Sequence, residues 1–500
     1  MRLDPKRFWM SYTVCGAATL APLWLVKYLP MVDLPQHAAQ VSILSHLHDP
    51  AFGFAGHYVL NWFEPYWIGY GTTWLLAQAI GVPAALKAVL SAAVLLLPLS
   101  LRALLGRAGG EPDWAILGFP TAFGYAFYGG FFTYLVAVPM GLFFLAQVYA
   151  FAEAATIRRG AALAAAGVAL FFCHFVVFAV MGLAAAAVLA TSLPPRRWWL
   201  GAAAGALPTA LALAWTAHHS MAAGPLQSHL IWALSLRRLA ALPTTVIGFH
   251  GQLATAACFF VLMTLPAFGG LRFVRSARRL APLALLLALY LFVPDAWAAA
   301  GGGLGSGFLY QRLAIFFVPF VLLSFSSTAT PAQQRWGPRL TTAAVLGWSA
   351  MLAVQFTRFD REARAFDEIA AELPLDASYL FLTFDKWSPA VPGVPVFDHF
   401  GGWVQAAKGG TLGYSFAQAD FQAAQLWPRL SPKDLYRRML LDVEPNLFQW
   451  EVDGPYGWFF VRAREDESGL FPQGKVGLVR HVGEWWLYRA TGLTAGSPAH

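Results

Sequence analysis

Residues 161–192 read AALAAAGVALFFCHFVVFAVMGLAAAAVLATS, with Arg158 and Arg159 before the run and Arg196 and Arg197 after it. Loops on the cytoplasmic side of a membrane are enriched in Lys and Arg, so both flanks of this run belong on the same side. A single crossing cannot satisfy that parity. Two short arms meeting near Cys173-His174 can, and they carry His174 to or just below the periplasmic surface.

The same reading extends outward in both directions. Apolar runs long enough to cross a hydrocarbon core of about 30 Å recur from residue 8 to residue 356, separated by short Arg-containing turns. The chain is 58% hydrophobic and 12% charged with a mean hydropathy of +0.54, against roughly a quarter charged for a soluble domain. The formal charge of +8 comes from basic pairs beside apolar segments, which are topology signals. A nucleic-acid-binding face would need Lys and Arg gathered on one soluble surface. Cys15, Cys173 and Cys258 all lie inside apolar segments, so no disulfide framework or thiolate metal site follows. Arg2, Lys6 and Arg7 precede the first apolar stretch as in a signal peptide, but Lys27-Tyr28-Leu29-Pro30 is a poor cleavage site, and the stretch reads as a retained span.

Counted by parity from a cytoplasmic N-terminus, the chain makes about eleven spans. They include 8–29, 84–105, 114–127, 131–152, 198–217, 253–271, 281–293, 309–326 and 340–356. Residues 62–81, rich in Trp, Tyr and Gly, would break the count and are assigned to the membrane interface. Arg237 and Arg238 fall on the outside, in an amphipathic surface helix. After Phe359 charge becomes frequent and apolar runs shorten to strand length. The fold class is therefore an α-helical polytopic membrane protein, residues 1–356, with a C-terminal α/β periplasmic domain, residues 357–500. In that domain an amphipathic helix is expected at Arg361–Leu373, strands at Ser378–Phe384 and Trp458–Arg462, and a hairpin from Lys475–Arg480 and Trp485–Arg489.

Polar and ionisable groups are expensive in or beside a membrane, so their positions carry information. Asp33, His37, Glu64, His174, His218, His219, Asp295 and Arg312 all map to the periplasmic ends of spans or to the loops between them. In Asp33-Leu34-Pro35-Gln36-His37, Asp followed by Pro two residues later marks a helix start. Asp33 and His37 then share one helix face, where they serve as base and partner or share a cation. The plainer alternative is a helix cap followed by a solvent-facing His. His46 and His48 lack the spacing of a helical zinc pair. Arg312 offers a fork of donors suited to a lipid phosphate, beside a Gly-rich loop at residues 301–307, or else snorkels as an anchor.

Taken together these residues resemble the GT-C class of membrane glycosyltransferases, which use polyprenyl-phosphate-linked sugars and carry a catalytic acidic residue in the first external loop. The closer similarity is to a bacterial branch with an Asp-x-Pro-x-His segment after the first span. Its further motifs correspond here to Gly129-Gly130-Phe131-Phe132-Thr133-Tyr134, Phe171-Phe172-Cys173-His174-Phe175, Phe397-Asp398-His399-Phe400-Gly401-Gly402-Trp403 and Gln405-Ala406-Ala407-Lys408-Gly409-Gly410. The resemblance implies sugar transfer from a polyprenyl-phosphate donor to a glycan, lipid or protein acceptor at the periplasmic face of a bacterial inner membrane. Asp33 and His37 would be the catalytic residues, with Glu64, His174, Tyr310 and Arg312 binding substrate. Many GT-C enzymes pair two acidic residues in this loop, whereas Leu34 follows Asp33 here. A single carboxylate suits a metal-independent inverting transfer, and a divalent cation (Mg or Mn) is the alternative. The rival readings are a lipid or polyprenol-phosphate transporter, which needs a polar path to the cytoplasmic side, and a non-catalytic scaffold.

The parity argument is checked by cysteine labelling in a background lacking Cys15, Cys173 and Cys258. His174→Cys is expected to react with a membrane-permeant thiol reagent and to be partly protected by an impermeant one added outside. Arg159→Cys and Arg196→Cys are expected to be shielded from the outside reagent.

Overall fold

A computed structural model describes residues 5–222, 228–232, 235–299, 307–419, 422–454 and 456–491. Among these, five helical segments are long and apolar enough to cross a membrane: Val82–Ala108, Phe132–Glu153, Phe175–Ser192, Pro195–His218 and Pro331–Ala371. The shorter apolar helices Gln252–Phe268 and Leu309–Leu323 join them, with Pro5–Leu25 packed along the final long helix. This is the architecture of a multi-pass membrane protein with a C-terminal α/β region.

Residues 114–127 depart from the expected straight span. They form three short turns, Pro112–Leu117, Gly118–Thr121 and Tyr125–Tyr128, because Pro112, Gly118, Pro120 and Gly124 break the helical ladder every few residues. Residues 62–81 hold a helix, Trp67–Ile80, of 14 residues. At 1.5 Å per residue it is about 21 Å long, too short for the hydrocarbon core. The run at 161–192 is two helices, Ile157–Cys173 and Phe175–Ser192. His174 sits between them in extended conformation, φ −168° and ψ 121°. Its backbone N–H closes the first helix on Leu170 O at 3.0 Å, and its Nδ1 accepts the Val176 N–H at 3.2 Å to cap the second.

Arg238 is not on an exposed amphipathic surface. It is 2% exposed, and its guanidinium donates to the carbonyls of Tyr290, Leu291 and Val293 at 3.1, 3.0 and 2.7 Å and pairs with Asp295 at 3.1 Å. The orphan carbonyls ending the helix Ala277–Phe292 draw the charge inward, since a helix C-terminus favours a cation.

The final long helix, Pro331–Ala363, starts on a capping box of Thr330 and Gln333 and runs through residue 356 without a break. A second helix, Ala365–Ala371, follows, so the amphipathic segment expected at 361–373 is two pieces. Beyond it a five-stranded sheet has the order Val476–Val482, Trp485–Ala490, Trp458–Arg462, Ser378–Thr383, Thr411–Leu412. Ser378–Thr383 is parallel to both its neighbours, and the other pairings are antiparallel. The strands and hairpin read from the sequence form, and Thr411–Leu412 adds a fifth strand that the sequence reading did not name.

One apolar core runs from Phe8 to Leu487 and joins the helices to this sheet. The helix Leu34–His46 is the seam. Gln36 and Gln40, four residues apart on one face, accept the backbone N–H groups of Phe416 and Ala424 at 3.0 and 3.2 Å, and Ser42 donates to Ala406 O at 2.8 Å. A further strand pair, Tyr58–Leu60 with Ala424–Leu426, continues the seam.

The start of that helix is gripped by two glycines. A Cβ on Gly130, at φ +79°, would lie 2.3 Å from Asp33 N, and one on Gly402 would lie 2.5 Å from the carbonyl of Pro35. Gly402→Ala is therefore expected to destabilise the fold by about 1–3 kcal/mol, because packed backbone must move to admit the methyl group. Gly205→Ala, in the helix Trp198–Ala222 with open space around it, is expected to be neutral or slightly stabilising. Thermal unfolding of the two purified variants in detergent measures the contrast.

Candidate functional site

Asp33 occupies the N-cap position of the helix Leu34–His46, as its sequence predicts, but its side chain does not cap. The backbone alone holds the turn: Asp33 N–H donates to Gly129 O at 3.2 Å, and His37 N–H donates to Asp33 O at 3.1 Å. This frees the carboxylate to face His399. Asp33 Oδ1 stands 3.5 Å from His399 Nε2, and the opposite nitrogen, Nδ1, lies 2.6 Å from Asp442 Oδ2. Asp33 keeps 19% of its side-chain surface open and His399 14%, enough for a reacting group to reach them. The arrangement is a carboxylate, an imidazole and a second carboxylate in line, drawn from three distant stretches of chain.

His37 does not pair with Asp33. Its Nδ1 lies 2.6 Å from Tyr70 Oη, and its ring packs against Phe132 and edge-on to Phe416. The Arg312 guanidinium lies 3.6 Å above the ring of Phe131, and its charge acts on Asp33. Tyr134 fixes that turn by donating to Arg312 O at 2.6 Å. His174 is held between Tyr66 and Tyr134, with ring centroids 5.1 and 5.2 Å away. Asp33, His37, His174 and Arg312, separated by up to 279 positions in the sequence, thus share one neighbourhood.

The imidazoles of His37 and His399 have opposite charge states. Burial, reinforced by the Arg312 charge, pushes His37 down to about 3, so it is neutral. Burial also opposes protonation of His399, but the carboxylates of Asp442, Asp33 and Asp398 outweigh it and raise the ring to about 9. Asp33 is raised to about 6 by burial, against the pull of His399 and Arg312. At neutral pH the centre therefore holds an ionised Asp33 beside an imidazolium.

The other residues singled out from the sequence make contacts outside the pair formed by Asp33 and His399. Glu64 is fully buried and accepts from Asn61 Nδ2 at 2.7 Å and Trp215 Nε1 at 3.1 Å. Tyr310 packs on Tyr290 with the Arg238 guanidinium 4.6 Å from its ring. Asp295 pairs with Arg238. His218 lies near the end of the helix Trp198–Ala222, and the side chain of His219 lies outside the described residues. The sequence reading assigned no role to His399 or Asp442. His399 stands inside the Phe397–Trp403 motif, where an Asp-His pair between phenylalanines was the available signal; Asp442, in the helix Pro432–Val443, carried none. Among the described residues no group of three or more His, Cys, Asp or Glu side chains is arranged to hold a metal ion.

No family model matches the sequence, and no curated protein matches it. The crystal structure of ArnT from Cupriavidus metallidurans bound to undecaprenyl phosphate is similar over 98% of this chain and 99% of that one, with a TM-score of 0.54 and 13% sequence identity. The chain therefore has a GT-C-like fold.

Tyr70→Phe removes the hydroxyl that meets His37 and leaves a buried ring nitrogen without that partner. The expected cost is about 1–3 kcal/mol, read as a lower unfolding temperature in detergent. An unchanged temperature would show that the nitrogen finds another partner.

Proposed function

We propose that this protein is a membrane glycosyltransferase that moves a sugar from a polyprenyl-phosphate donor to an acceptor hydroxyl at the periplasmic face, with Asp33 as general base. The observation that carries the proposal is the placement of the Arg312 guanidinium over Phe131, next in sequence to the Gly130 that packs on the Asp33 backbone, with the Asp33 carboxylate part-exposed, in a GT-C-like fold. A base and a phosphate-binding cation are the two groups the reaction needs side by side. The acceptor oxygen attacks C1 of the sugar and its proton passes to Asp33. The bond from C1 to the phosphate oxygen breaks, and polyprenyl phosphate leaves with the bonding electrons, its negative charge met by Arg312. His37, neutral and anchored on Tyr70, lines the acceptor side.

An apolar cavity of about 270 Å³ between the helices Gln252–Phe268 and Pro331–Ala363, lined by residues including Leu262, Leu265, Val345 and Trp348, supports a prenyl-chain substrate. Packed rings of Trp348, His250 and Tyr128 lie between it and Val32, whose N–H donates to Tyr128 O at 2.9 Å. The proposal includes the orientation: bacterial inner membrane, N-terminus cytoplasmic, and residues 357–500 forming a periplasmic domain.

Asp33→Asn is expected to lower transfer from a lipid-linked sugar on the order of 10²–10⁴-fold in isolated membranes, and full activity would remove Asp33 as the base. Because the base must be ionised and burial raises it to about 6, wild-type transfer is expected to hold above that pH and fall as pH drops through it. Arg312→Lys keeps the charge but loses the fork, so apparent donor affinity weakens; Arg312→Ala weakens it further at equal membrane abundance. An anchoring arginine would instead tolerate Lys and lose abundance on replacement by Ala.

A further inference from the structure

His399 reaches the site from the C-terminal region, and the loop that carries it is clamped on every side. Phe397 lies under the Arg462 guanidinium at 3.8 Å, and Arg462 pairs with Glu362 of the final long helix at 2.8 Å. Phe400 packs on Tyr28 and Phe366 with ring centroids 5.1 Å from each. Gly402 lies against Pro35 with no room for a side chain. The ring itself is bounded by Phe416 and Tyr414. Each ring nitrogen of this imidazole faces one carboxylate, Nδ1 that of Asp442 and Nε2 that of Asp33.

We infer that the pair formed by His399 and Asp442 is the positioning element for Asp33, giving its carboxylate a fixed orientation and a fixed positive neighbour, so that the C-terminal region supplies part of the active site. This rests on the reading of Asp33 as the base. Asp442 holds the ring from Nδ1 at 2.6 Å, leaving Nε2 aimed at Asp33 at 3.5 Å. The logic is that of a base oriented by a second group that is itself oriented by a third. Other ionisable groups face the pair from the packed elements. Around Asp33 these are Arg312, Tyr70, Tyr125 and Tyr414. Around His399 they are His37 and Asp398, the latter 3.6 Å from Lys386.

The test titrates the purified full-length chain in detergent with no substrate present. Infrared spectroscopy follows the Asp33 carboxyl band, identified by its loss in Asp33→Asn. His399→Gln is expected to raise the Asp33 midpoint by at least about one pH unit, a tenfold change in ionisation, and His399→Lys, which restores a charge, is expected to reverse most of that rise. An unchanged midpoint in His399→Gln overturns the inference, as does an equal midpoint in the Gln and Lys variants. Should either His399 variant fail to fold, Asp442→Asn serves instead. NMR of nitrogen-labelled histidine is then expected to show His399 titrating well below about 9, and a ring still titrating there overturns the pairing. Because no sugar transfer is measured, these outcomes are separate from the fate of the proposed activity. The transferase reading fails if Asp33→Asn stays fully active, whatever the titrations show. If both hold, the acid limb of transfer in His399→Gln moves up in pH by the same amount as the Asp33 midpoint.

Discussion

The site depends on a close approach of three backbones at the start of one helix. Residues 33–36 turn between Gly130 on one side and Gly402 on the other, and each contact is shorter than a Cβ atom would allow. Gly129 O takes the Asp33 N–H, so the carboxylate is not needed as a cap and is released for chemistry. The same approach sets His399, three residues before Gly402, opposite Asp33. The two Gly-Gly elements and the Asp-x-Pro-x-His segment are therefore parts of one contact.

Buried charge elsewhere follows a common rule. In surroundings of low dielectric a charge persists only where carbonyls, amides or an opposite charge surround it. Arg238 sits on the carbonyl end of the helix Ala277–Phe292. Arg279 donates to Leu323 O at 2.6 Å and Gly109 O at 3.0 Å, joining the ends of two other helices. Asp360 accepts the backbone N–H groups of Lys27 and Tyr28 at 2.7 and 2.8 Å and pairs with Arg364 at 2.7 Å, which ties the exit of the first helix to the end of the last. These residues hold the frame. Asp33 and His399 differ in keeping part of their side-chain surface open.

The contrast between the two histidines shows how the frame selects chemistry. His37 and His399 both pack on Phe416, yet one meets a tyrosine hydroxyl and an arginine charge while the other meets two carboxylates. Packing is similar and electrostatics opposite, so one ring is neutral and the other charged. In the proposed transfer the charged ring is what holds Asp33 ionised against its burial.

By itself the sequence determined the membrane class, the break at His174, the helix start at Asp33 and the strands at 378–384 and 458–462, because hydropathy, basic flanks and Pro or Gly punctuation act over a few neighbouring residues. It also marked the Gly129-Gly130 and Phe397–Trp403 elements, without showing that they meet. Which histidine faces Asp33 was decided only by the tertiary structure. Helical spacing favoured His37, four residues along the same face, but Tyr70 takes that ring and a loop 366 positions away delivers the partner. Arg238 reversed from surface to interior for the same reason: the carbonyls that attract it belong to a helix more than 50 residues distant. A local pattern states what a residue offers, and its partner is set by whichever distant group the packed backbone brings within reach.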